Sequence, residues 1–151
     1  MASGWTNKGR TNVLGIALRG QTPPANFYIA LITNAVVPTA DTNTFSELTE
    51  IAAGNGYTAG GISVARNTTD WDTLTESDAS DYAMAQLKDE AWTASGGALP
   101  ASGSGASYAI LTDANATQGS REVWYFWDLS EARQVSSGQP LTLQNCEVRI
   151  A

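Results

Sequence analysis

The stretch Arg121-Glu122-Val123-Trp124-Tyr125-Phe126-Trp127-Asp128-Leu129 places four aromatic rings on four consecutive residues. In an extended strand, side chains alternate between the two faces. Val123, Tyr125, Trp127 and Leu129 then line one face, and Trp124 and Phe126 line the other, beside Glu122 and Asp128. One face suits the core of a β domain. The other needs a cover, either a second layer of the same chain or a partner chain. The first alternative makes this a central sandwich strand; the second reserves Trp124 and Phe126 for an interface.

The remaining pattern supplies a sandwich around that strand. Phe27 to Thr33 is nearly continuous and apolar, bounded by Pro23-Pro24 and Asn34. Further strands are predicted at Ile62–Val64, Tyr82–Leu87, Ala106–Thr112, Pro140–Leu143 and Cys146–Ile150. Leu141 and Leu143 share one phase, whereas Cys146, Val148 and Ile150 share the other. The break at Gln144-Asn145 therefore predicts a bulge or bend through which a strand passes from one sheet to the next. Thr6 to Arg19 reads as a helix capped by Thr6, with Val13, Leu14, Ala17 and Leu18 on one side and Gly20, Pro23 and Pro24 ending it. A second, short helix is expected over Phe45–Ala53, opening at Thr44 and stopping at Gly54-Asn55-Gly56. Residues 67–81 read as a polar, turn-rich acidic stretch, and residues 95–107 as a mobile loop. The sum is seven or eight short strands and one N-terminal helix, an antiparallel β-sandwich with jelly-roll-like or similar Greek-key wiring. Residues 1–24 form an arm and helix belonging to the same domain, and residues 25–151 form the sandwich.

Residue types narrow the chemistry. The chain has no histidine and one cysteine, Cys146, so the usual general base and every Ser-His-Asp or Cys-His arrangement are absent. A zinc site of four Cys or His ligands cannot be built, nor can an internal disulfide. Asp70, Asp72, Glu76, Asp78 and Asp81 could offer oxygen atoms to Ca²⁺, but their order does not follow the EF-hand loop, and loop carboxylates are usually solvated. Gly54-Asn55-Gly56 and Gly96-Gly97 are turn chemistry without a phosphate-loop lysine. No catalytic residue, cofactor site or metal site is predicted. Neither a signal peptide nor a membrane-length apolar run is visible, which predicts a soluble protein assembled in a reducing compartment.

Charge points toward protein partners. The formal net charge is −7, which argues against nucleic acid as the main ligand. Only 15% of residues are charged, and a surface rich in Ser, Thr, Asn, Gln, Ala and Gly needs little charge desolvation on contact. Residues 1–40 contain Lys8, Arg10 and Arg19 and no acid. Residues 70–90 contain Asp70, Asp72, Glu76, Asp78, Asp81, Asp89 and Glu90 against Lys88 alone. A basic arm and an acidic middle can dock head-to-tail between copies.

Several short motifs, taken in order, resemble small virion proteins of tailed bacteriophages, of the head-decoration, cement or tail-fibre kind. Thr6-Asn7-Lys8-Gly9-Arg10 to Ala17-Leu18 is similar to their N-terminal helix, and Tyr28-Ile29-Ala30-Leu31-Ile32-Thr33 to the strand after it. Glu50-Ile51-Ala52-Ala53-Gly54-Asn55-Gly56-Tyr57 looks like their Gly-rich turn, although Gly60-Gly61 stands where an arginine is expected. Trp92, Gly96-Gly97 and Tyr108 to Asp113 continue the likeness, as does Val135 to Leu143. The resemblance spans nearly the whole chain. It implies a non-enzymatic β domain of the virion, assembled in the host cytoplasm: a decoration or cement protein forming a homo-oligomer, with a trimer favoured, on the major capsid protein. Trp5, Lys8, Arg10 and Arg19 are the candidate contacts on the basic arm, with Trp124 and Phe126 on the aromatic strand. Two alternatives remain, a tail or tail-fibre component and a carbohydrate-binding receptor-recognition domain. The second would stack sugars on Trp71, Trp92 or Trp124.

Overall fold

The computed structural model describes residues 3–151. The helix α1 (Asn7–Arg19) starts where its cap predicts, with the Thr6 hydroxyl accepting the Gly9 amide at 2.9 Å. It ends at Gly20, whose φ of 68° is left-handed. Its inward face is not the expected one. Gly9, Val13 and Ile16 turn toward the protein, while Leu14, Ala17 and Leu18 face solvent. The cause is the backbone of Trp124, which approaches Gly9 so closely that a Cβ there would sit 2.2 Å from the Trp124 carbonyl oxygen. The helix docks on its glycine, and that contact sets its rotation.

Ten strands are present among the described residues: β1 (Gly4–Trp5), β2 (Asn26–Ile32), β3 (Ile62–Ala65), β4 (Thr73–Ser77), β5 (Tyr82–Leu87), β6 (Glu90–Thr93), β7 (Ala106–Thr112), β8 (Val123–Arg133), β9 (Pro140–Leu143) and β10 (Cys146–Ile150). Five make one antiparallel sheet in the order β1-β8-β7-β2-β3. The second layer holds β10-β5-β4 and β6-β9. These two small sheets share one register, because Leu87 faces Cys146 and, after Lys88-Asp89 and Gln144-Asn145, Glu90 faces Leu143. They are one long ribbon bent at a common break, where Asn145 takes a left-handed φ of 55°. The bend predicted at Gln144-Asn145 is thus real, and it lets Leu141, Leu143, Cys146 and Val148 all face the same core.

That core lies between the layers and includes Phe27, Ile29, Leu31, Tyr125 and Trp127 from the large sheet with Leu87, Trp92 and Leu141 from the ribbon. A second cluster covers the other face of the large sheet, where Phe45 and Leu48 from the 34–50 segment close over Ala30, Ile32, Ile110, Val123 and Phe126. The protein is therefore a β-sandwich with one helix, and its central sheet is buried on both sides by its own chain.

Several local expectations are corrected. In β8 the alternation slips, because Leu111 faces Tyr125 while Thr112 faces Val123, leaving Trp124 as the extra residue of a bulge. Trp124 consequently joins Tyr125 and Trp127 in the main core, and Val123 joins Phe126 in the second cluster. The expected Phe45–Ala53 helix is a single 3-10 turn, Phe45–Glu47, closed by Glu47 folding back on the Asn43 and Thr44 amides. Beyond it the backbone is taken by β2: Thr33 N–H bonds Thr49 O, and Ile51 N–H bonds Leu31 O. The acidic 67–81 stretch contains β4, an edge strand whose Leu74 is 83% exposed and so carries no burial pattern. Within 95–107, Leu99 is fully buried and its backbone pairs with Val135 in both directions.

Candidate interaction surface

Exposed apolar surface gathers beside the N-terminal helix. Leu14 is 58% exposed and Leu18 78%, while Ile150 at the end of β10 is 55% exposed. Between α1 and β10 runs a groove of about 550 Å³ lined by Trp5, Arg10, Val13, Leu14, Tyr125 and Ile150. Its floor is rigid. The Trp5 ring meets Tyr125 edge-on at 5.4 Å, and its indole N–H donates to the Arg149 carbonyl. Trp127 does the same for the Glu147 carbonyl at 2.8 Å. Two indoles therefore occupy carbonyls on the side of β10 away from β5, where another strand would otherwise pair.

The basic residues of the arm divide into two groups. Lys8 is held by Glu122 at 3.1 Å, and Glu122 also accepts from the Asn12 amide. Arg10 and Arg19 are exposed and make no ion pair among the described residues. Arg149, at the groove rim, is tied to Glu147 and lies over the Tyr82 ring. Among the described residues, Arg10 and Arg19 thus offer the uncommitted positive charge on the helix.

The aromatic candidates are placed differently from expectation. Trp124 and Phe126 are each 5% exposed, so their own chain supplies the cover that the bare alternation left undecided. Trp124 packs edge-on against Phe27 at 5.0 Å, under α1. Phe126 lies beneath the 34–50 segment. Neither ring is available to a partner. Trp92, offered as a sugar platform, is 4% exposed on the inward face of β6 and tilts against Tyr57 at 6.0 Å. Trp71 is half-buried against the main core. Of the proposed stacking rings, Trp92 and Trp124 cannot present a face to a glycan.

Residues outside the arm add structure rather than chemistry. Glu50 accepts from the Tyr57 hydroxyl at 2.7 Å, the Gly60 amide at 2.6 Å and the Gln118 side-chain amide at 2.7 Å. Arg121 stacks on Tyr28 at 3.8 Å and donates to the Gly60 carbonyl at 3.0 Å. The motif Glu50…Tyr57 is thus a brace. Burial pushes the Cys146 thiol up to about 12, so it stays protonated and unreactive at neutral pH. In the acidic middle, Asp70 and Glu90 are committed to Lys88. Among the described residues no three Cys, Asp or Glu side chains converge as a metal site, and no helix is long and apolar enough to cross a membrane.

Sequence reasoning missed the outward row Leu14–Leu18 and its neighbour Ile150, because apolar residues at helical spacing suggest a core face. The available signal was Gly9, a residue that costs helix stability unless something must come close. Comparison with known protein families, with curated proteins and with solved structures finds no match.

Proposed function

We propose that this protein is a structural component of a tailed-bacteriophage virion, a decoration or cement protein of the head that forms a homo-oligomer, a trimer by preference, and binds the major capsid protein. The observation that carries this reading is the exposed face of α1, where Leu14 and Leu18 are open to solvent and the exposed Arg10 and Arg19 make no ion pair among the described residues. An apolar patch with unpaired charge on a rigid body is what contact with another protein requires. The chain-wide resemblance of the sequence motifs supports the particular setting. A non-enzymatic role agrees with the lack of histidine and with a cysteine that burial makes inert. Repetition on a symmetric shell multiplies modest contacts through avidity.

Purified protein added to capsids lacking it tests the reading. Saturable binding at a fixed number of copies per shell is expected. Absence of binding to shells, together with turnover of a small molecule, would remove it. The carbohydrate-binding alternative is weakened by the burial of Trp92 and Trp124, and only Trp71 keeps a part-exposed ring.

A further inference from the structure

A cavity of about 270 Å³ opens between α1, the return of the chain after it, and the junction that leads from β7 into β8. Its polar lining comes from Asn12, Gln21, Thr22, Asp113 and Glu122, and Ile16, Pro24 and Trp124 complete the wall. Trp124 is almost wholly buried, and its indole N–H meets no hydrogen-bond acceptor among the described residues. Buried donors are rarely left unpaired, so one carried by a cavity wall implies an acceptor from outside the chain.

The local sequence holds this lining in place. Gly15 is unfavourable inside a helix, but a Cβ there would overlap Gln21 Oε1, so the absent side chain is the space in which the Gln21 amide lies. The Gln21 backbone N–H bonds the Gly15 carbonyl at 3.1 Å and fixes the return. Asn12 Nδ2 donates to Glu122 Oε2 at 2.6 Å, while Lys8 takes Oε1 at 3.1 Å. Asn12 therefore keeps its Oδ1 as an acceptor, and the Glu122 charge is already balanced. Asp113 Oδ1 accepts the Glu122 amide at 3.0 Å and the Asn115 amide at 3.4 Å, which leaves its Oδ2 uncommitted. Burial raises the Asp113 carboxyl above its ordinary range, a sign that water reaches it poorly.

These groups select a ligand by type. Two carboxylates and, among the described residues, no Lys or Arg line the cavity, which disfavours an anion. No third carboxylate converges to hold a metal ion among the described residues. An organic cation would leave the indole N–H without its acceptor. A hydroxyl group donates to a carboxylate or amide oxygen and accepts from an N–H, so it answers both needs at once. The volume is below that of sites for drug-sized molecules and suits about one six-membered ring. We propose that this cavity binds a neutral polyhydroxylated ring, a single saccharide residue, with Asp113 and Asn12 accepting from its hydroxyls and the Trp124 indole and Gln21 amide donating to them. Ile16 and Pro24 meet its C–H surface. The site needs no open indole face for stacking, and it is separate from the outward Leu14–Leu18 row, so it does not rest on the virion reading.

Titration of the ¹⁵N-labelled full chain with glucose, galactose, mannose and N-acetylglucosamine in turn, followed by NMR, tests this. The Trp124 indole signal is identified by its loss in Trp124→Phe. At least one sugar should move that signal and the Gln21 side-chain amide saturably, with half-saturation at about 1–10 mM. Asp113→Asn keeps Oδ1 for the two backbone amides and replaces the other oxygen by a donor. It and Gln21→Ala should each weaken binding at least about fivefold, whereas Leu74→Ser, on the β4 edge, should leave it unchanged. The same spectra show whether each variant is folded. Methylammonium and inorganic phosphate should leave the Trp124 signal in place. The proposal is overturned if no sugar moves these signals at up to about 100 mM, a range that covers very weak binding. It is also overturned if neither folded variant weakens the response, or if methylammonium or phosphate moves the signals as strongly. Capsid binding is a separate measurement, so either reading can fail without the other.

Discussion

Glu50 is half-buried and receives three donors, and each of them ties a different part of the chain. The Tyr57 hydroxyl that donates to it also accepts the Leu31 amide at 3.0 Å, linking the brace to the C-terminal end of β2. Burial, and then the neighbouring carboxylate, push the Tyr57 hydroxyl well above its ordinary range, so it remains a donor at any working pH. Glu50→Ala would strand the Tyr57 hydroxyl, the Gly60 amide and the Gln118 amide together. The expected cost is about 2–4 kcal/mol in urea unfolding, and a loss below about 1 kcal/mol would mean that these donors find other partners without it. Gly9 makes a second prediction. Alanine is the better helix former by about 1 kcal/mol, yet its methyl would collide with the Trp124 backbone, so Gly9→Ala should destabilise by about 1–3 kcal/mol. Gly119, where an added Cβ meets only Ser46 at 3.5 Å, is the control, and Gly119→Ala should be close to neutral. Equal effects at the two positions would show that the helix is free to shift.

The element that most needs a local tether is the bent ribbon. Its break at Lys88-Asp89 is pinned by Asp70, whose carboxylate takes the Lys88 ammonium at 2.6 Å and the Ala65 amide at 2.6 Å. The Lys88 hydrogen bond, with the Ala65 amide, holds the Asp70 carboxyl below the usual carboxylate range. A depressed carboxyl stabilises the fold above its unfolded pKa, and that contribution disappears as pH falls through the lower, folded value. Asp70→Asn should therefore lower the melting temperature at pH 7 by a few degrees at most, because Lys88 is partly solvated. The difference from the unaltered protein should close below about pH 4. A gap that persists unchanged into acid would assign the effect to the amide's geometry instead of to charge. At this scale β4 was invisible in the sequence: the Leu74 side chain has no core to face, and strand prediction reads burial. The Phe45–Ala53 helix was over-read for the opposite reason. Its propensity was adequate, but the free backbone of β2 offered hydrogen bonds that helix formation would have forgone.

Across the whole molecule, two layers are joined by side chains where no strand ladder connects them. The indole of Trp127 on β8 donates to the Glu147 carbonyl on β10, and Trp5 on β1 donates to Arg149. Trp127→Phe keeps a ring in the core and removes this bond. A loss of about 1–2 kcal/mol is expected, with faster amide exchange along β10 relative to β7. Uniform exchange across both strands would show that the indole does not hold the layers together. The arrangement also explains why the aromatic run is a poor guide to interfaces. A strand between two covered faces needs large rings on both, so Trp124 and Phe126 serve the interior.

Composition and alternation alone were enough to dictate a mainly β sandwich with one capped N-terminal helix, strands read at 27–33, 106–112, 140–143 and 146–150 that match the observed ones to within a residue, and the bend at Gln144-Asn145. These are consequences of side-chain period, cap chemistry and turn residues acting over a few positions. Which face of α1 is buried, and which aromatic rings are hidden, were decided only when distant segments met. A bulge in β8 moved Trp124 inward, and the close approach of its backbone to Gly9 turned Leu14 and Leu18 out to solvent. Local pattern specifies which residues can form a face, whereas steric contact between elements specifies where that face points.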